Sequence, residues 1–235
     1  MSGENRGVAG ARVLIWDLPT RLFHWSLVLA VSLALVTGFS GGSLIALHGR
    51  AGLAVVGLLA FRLAWGLVGG QHARFVNFVR GPAVIRAYLR GEWHGEGHNP
   101  LGALSVLGLL AVLGAQAASG LFANDDIAFN GFLSSLVTKE TSDYLTGWHV
   151  RIIWLALGLV ALHLAAIGFY GHVRRENLVK PMILGWKEGQ GPDAGRAGPL
   201  AILFACGLAA ALVWVASGGL NPPALPPAPV ETPAW

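Results

Sequence analysis

The chain has 235 residues, of which 54% are hydrophobic and only 12% are charged. Soluble domains average about 25% charged residues, so this composition excludes an ordinary soluble core and points to a membrane protein. A formal charge of +4 is a weak signal for nucleic acid, and the arginines gather near the ends of apolar runs, where they report topology.

In chain order, residues 1–20 form a short leader with Arg6 and Arg12 that ends in WDLPTR. Pro19 and Thr20 suit the turn into a helix, and Trp16 suits a membrane–water interface. The leader is polar and basic and the first apolar run is a full span, so no cleavable signal peptide is expected. That first span, Leu22–Phe39, carries His24 and Trp25 in its opening turn. Gly41, Gly42 and Ser43 make a tight turn into the second span, Leu44–Val68, which holds His48, Arg50, Arg62 and Trp65.

Residues 69–99 read as a basic loop with Arg74, Arg80, Arg86 and Arg90. Inside it, GPAVIRAYLRG predicts a short interfacial helix with Pro82 at its start. The third span, Leu101–Phe122, has no histidine. Residues 123–145 read as an acidic loop, with Asp125, Asp126, Glu140 and Asp143 against Lys139 alone. The fourth span is Thr146–Phe169. A basic segment with Arg174, Arg175, Lys180, Lys187 and Arg196 leads to a fifth span, Leu200–Val215, and residues 221–235 are Pro-rich. The basic residues sit in the leader, the second loop and the fourth loop. By the positive-inside rule the N-terminus is then cytoplasmic and the C-terminus lies outside.

The histidines in these spans decide the chemistry. His149 and His163 lie fourteen residues apart in one span. A helix separates them by roughly 21 Å along its axis and returns them to nearly one face, offset by about 40°. Polar rings in hydrocarbon are costly and face a bundle interior with a partner. The predicted topology puts His48 and His149 near the outer surface and His24 and His163 near the inner one. Facing imidazoles at matched depth are a usual way to hold a buried b-type haem, so two bis-His haems are expected. A single cysteine, Cys206, rules out thioether attachment of haem. Gly52 and Gly158 leave room for a flat macrocycle, although small residues also serve helix packing. Arg21, Arg50, Arg62 and Arg151 could pair with haem propionates, or simply mark helix ends. His72, His94, His98 and His172 read as solvated.

The chain resembles the bacterial cytochrome b561 family, which is grouped with the b-type cytochrome subunits of nickel–iron hydrogenases. The matching motifs are VLIWDLPTRLFHW at 13–25, LHGRAG at 47–52, FRLAWGLVGGQHARF at 61–75, LTGWHVR at 145–151, LHLAAIGFYG at 162–171 and NLVKPMILGWKEG at 177–189. The resemblance implies a four-helix core with two haems b on His24, His48, His149 and His163, and electron exchange between quinones and a partner. The expected architecture is therefore an all-α integral membrane bundle. It comprises a leader at 1–20, the di-haem core at 21–189, a linker and fifth helix at 190–217, and a tail at 218–235. Short members of the family stop after four spans, so the fifth is an addition.

The expected function is transmembrane electron transfer, linking the quinone pool to a c-type cytochrome or a hydrogenase, with a bound quinone as a further ligand and lipid around the spans. Superoxide oxidation with quinone as acceptor is the second reading, disfavoured by the acidic outer loop because superoxide is an anion. A cofactor-free transporter using the membrane histidines, or a structural anchor for a respiratory complex, is the third.

Overall fold

The computed structural model describes residues 12–92, 99–127, 129–189 and 193–221. Arg6, His94, His98 and most of the expected Pro-rich tail lie outside the described residues. The chain is an all-α membrane bundle, with five helices long and apolar enough to cross a bilayer. These are α1 (Leu18–Ser40), α2 (Ile45–Val68), α5 (Pro100–Leu121), α6 (Lys139–His172) and α8 (Pro199–Ala216). Short helices α3 (Phe75–Phe78), α4 (Pro82–Leu89) and α7 (Val179–Leu184) lie in the connections. The predicted interfacial helix is α4, with proline at its start.

Each span begins on a local signal. Asp17 caps α1 by accepting from the Thr20 N–H at 2.8 Å, and Asn99 caps α5 through Gly102 N–H at 2.7 Å. Thr138 does the same for α6, accepting from the Thr141 N–H. That cap shifts one expected boundary. Residues 139–145, read as part of an acidic loop, form the first two turns of α6, so the helix is 34 residues long. Their charges mark a helix end standing out of the bilayer, not a loop.

Antiparallel strands β1 (Arg12–Leu14) and β2 (Trp186–Glu188) pair with Val13 opposite Lys187. The clasp continues through Gly185, whose carbonyl accepts from Ile15 and Trp16 N–H. Gly185 has φ +92°, a conformation glycine adopts without strain, and a Cβ there would press on the Trp16 carbonyl at 3.0 Å. Trp16 is accordingly buried with Val13, Ile15 and Met182, not spread at a membrane interface. The clasp also draws in the segment before α8, because Ala194 N–H donates to Leu14 O and Gln71 N–H to Gly195 O. The start of α1 and the ends of α2 and α6 thus gather at one end of the bundle, as alternating spans require.

α2 is the central helix, packed on α1, α5 and α8, while α6 packs on α5. α8 lies close on α2, where a Cβ at Gly57 would come within 2.7 Å of Val213. Ala205 of α8 buries completely against Ala64, Trp65 and Ala73. A second apolar cluster joins the other four spans at mid-height: Ala30 from α1, Val55 and Leu59 from α2, Leu113 from α5 and Ala156 from α6. Ala156 is midway between His149 and His163 in sequence. The bundle has an apolar waist with histidines on either side of it.

Candidate functional site

At one end of the bundle, His48 of α2 and His149 of α6 face each other with ring centroids 5.9 Å apart and planes at 87°. Each ring is tied at Nδ1 to a main-chain carbonyl: His48 to Ala34 O at 2.8 Å, His149 to Gln116 O at 2.9 Å. A carbonyl oxygen can only accept, so Nδ1 carries the proton and Nε2 keeps the lone pair that binds a metal. Ser119 adds a hydroxyl 3.3 Å from His149 Nδ1. The Gln116 side-chain amide nitrogen lies 3.1 Å from His149 Nε2, so iron ligation there exchanges this hydrogen bond for a metal bond. Glycines seat both rings. A Cβ on Gly38 would come within 2.8 Å of His48 Nδ1, and one on Gly120 within 2.8 Å of His149 Cε1. Phe129 and Phe132 of the loop between α5 and α6 lie over Gly49, next to His48.

Towards the opposite end, His24 of α1 and His163 of α6 are half-buried and within electrostatic range of each other. His24 stands edge-on to Trp25 at 5.0 Å. Its Nδ1 is buried without a hydrogen-bond partner, a cost of about 1–3 kcal/mol in a low-dielectric setting.

The other expected contacts have varied surroundings. Arg62 is only 2% exposed, donates to Ala73 O at 3.1 Å and lies over the Phe75 ring at 4.8 Å. These partners hold its charge without a propionate. Arg21 donates to Ile183 O at 2.6 Å. Arg50 and Arg151 are exposed at the end of the bundle that holds His48 and His149, Arg151 folding back over Gly147. Gly52 and Gly158 have nothing within 4 Å of an added Cβ, so neither is explained by a tight helix contact. His72, expected to be solvated, is half-buried, bonded through Nδ1 to Ile15 O at 3.0 Å and edge-on to Trp16. It belongs to the clasp. His172 bonds Gly168 O at the exposed end of α6.

These residues fit a haem. The helices bearing the facing histidines, α1 and α2 on one side and α6 on the other, are not closely packed on each other. Gly52 and Gly158, with nothing within 4 Å of an added Cβ, leave open space for a flat group beside these helices. Among the described residues no three His, Cys, Asp or Glu side chains converge on one point, so paired axial ligation suits the set better than a protein-only metal cage. Sequence reading missed Gln116, Ser119, Gly38 and Gly120. Three of these come from α5, the span with no histidine, and nothing in a single sequence says which of its residues touch α6.

The sequence also resembles known proteins. Residues 15–185 match the family model described as prokaryotic cytochrome b561. The chain is 27% identical over 225 residues to a probable Ni/Fe-hydrogenase B-type cytochrome subunit of Azotobacter vinelandii, covering 79% of this chain and 92% of the relative. It is 24% identical over 198 residues to a probable Ni/Fe-hydrogenase 1 B-type cytochrome subunit of Escherichia coli (strain K12), covering 70% and 83%. With five apolar helices and a family match over most of its length, the chain belongs to the prokaryotic cytochrome b561 family of multi-pass, haem b-containing electron-transfer proteins.

Proposed function

We propose that this protein conducts electrons across the bacterial inner membrane through two b haems, one held by His48 and His149 and the other by His24 and His163. Haem b, when bound, supplies a one-electron iron couple. The observation that carries the reading is the outer pair: two imidazoles 5.9 Å apart between centroids, each with Nδ1 tied to a carbonyl so that Nε2 is left to ligate. The inner pair sits about 21 Å away along α6, beyond the apolar waist. The waist is apolar, and the Ala34 and Gln116 carbonyls fix the outer rings before and after any electron moves. Arg50 and Arg151 stand as cations at the outer mouth, available to propionates.

The electron source or sink on one side is a membrane quinone. On the other it is a protein, and the relatives named as hydrogenase cytochrome subunits support a hydrogenase. The N-terminal end, where basic segments gather, faces the cytoplasm. Asp125, Asp126 and Asp143 at the outer end oppose approach of an anion such as superoxide. A redox titration followed by absorbance tests the reading. Two one-electron waves are expected, and His48→Ala should remove one while the other survives. A single wave, or two waves untouched by His48→Ala, contradicts it.

A further inference from the structure

At the end of the bundle where the chain begins, α1 and α8 leave a cleft of about 380 Å³ between their first turns. Leu14, Leu18 and Ile202 form apolar walls, and Asp17, Arg21 and Arg196 bring charge to it. The carboxylate is already committed. Asp17 accepts from Thr20 N–H at 2.8 Å and from the Trp65 indole N–H at 3.2 Å, and the buried Arg62 charge acts on it from behind. The two remaining cations have no carboxylate partner, although Arg21 donates to the Ile183 carbonyl at 2.6 Å. Among the described residues neither Arg21 nor Arg196 forms an ion pair, and Arg21 Nε is buried without a hydrogen-bond partner. Arg196 is exposed.

Two guanidinium groups without a carboxylate partner, beside apolar walls at the level where spans enter the bilayer, suit an anion with hydrocarbon attached. A water fills about 30 Å³, so a free inorganic ion would leave most of this cleft wet. A phospholipid fills both parts, since guanidinium binds phosphate oxygens with strong charge-assisted bonds and basic pockets between helices take anionic headgroups.

We propose that the cleft binds one anionic phospholipid, with Arg21 and Arg196 on its phosphate and the upper acyl chains along Leu14, Leu18 and Ile202. The lipid touches both α1 and α8, so it fastens the fifth helix to the core. Nothing in this site depends on how the haems are ligated.

The test uses the haem-loaded full chain, stripped of lipid in detergent and then given phosphatidylglycerol, phosphatidylethanolamine or inorganic phosphate. Native mass spectrometry reads retained lipid and thermal unfolding reads stabilisation. Phosphatidylglycerol should be retained and should raise the unfolding temperature, whereas phosphatidylethanolamine and inorganic phosphate should do neither. Arg196→Gln should cut phosphatidylglycerol retention about tenfold, the effect of one lost charge-assisted contact. Arg196→Lys should keep most of it, and an unchanged haem spectrum shows that both variants fold. Equal retention of the two lipids, equal stabilisation by inorganic phosphate, or wild-type retention in Arg196→Gln overturns the proposal.

Discussion

At the scale of single residues, the outer histidines are set by what lies behind them. Ala34 O and Gln116 O each accept a hydrogen bond from an Nδ1–H, which leaves Nε2 as the only ring nitrogen with a lone pair. Gly38 and Gly120 give the rings their place, because a Cβ at either position would overlap an imidazole. Replacing Gly120 by Ala separates the effects of backbone and site. Alanine raises helix propensity by about 1 kcal/mol over glycine, so α5 itself should not weaken. The added methyl meets His149 at 2.8 Å, however, and such overpacking costs about 1–3 kcal/mol. The expected result is an intact helical spectrum with a selective loss of the outer haem signal; an unchanged haem spectrum would show that the ring yields freely. The meeting of His48 with His149 was legible in the sequence because an imidazole in an apolar run demands a partner. The glycines, Gln116 and Ser119 were not legible, since they matter through the register between helices, which a single sequence does not state.

At the scale of elements, α6 carries one histidine of each pair, and its length follows from its cap. At 34 residues it spans about 51 Å against a hydrocarbon core of about 30 Å, so its first and last turns stand outside the bilayer. Reading residues 139–145 as loop was reasonable from Lys139, Glu140 and Asp143, but Thr138 starts the helix ahead of them. Between the histidines, Ala156 belongs to the buried cluster of Ala30, Val55, Leu59 and Leu113, and is only 3% exposed. Ala156→Leu has no room there and should destabilise by about 1–3 kcal/mol. Ala166→Leu, on an exposed face of the same helix, should stay within about 0.5 kcal/mol. Thermal unfolding of the two purified variants checks the difference, and equal midpoints would mean that the waist is not tightly packed. The strand clasp was invisible in advance. Segments of three residues leave no periodic signal, and their pairing depends on the spans bringing both chain regions to one end.

For the whole molecule, the span count and alternation were readable because apolar length and arginine placement are properties of composition along the chain. The structure adds that β1, β2 and the segments after α2 and before α8 meet at one end, which fixes the alternation physically. A reporter active only in the periplasm should work when fused after α8 and fail when fused before α1. Activity at both ends or at neither would break the five-span topology. How α8 docks was beyond the sequence, because Gly57 and Ala205 are unremarkable until α2 and α8 are seen side by side.

The most direct measurement is the number of haem b groups per chain in the purified protein, taken with the variants His149→Ala and His163→Ala. Two per chain are expected, falling to one in each variant because each removes a ligand from a different pair. One haem in the wild-type chain, or a count that neither substitution changes, would contradict two irons held by four imidazoles.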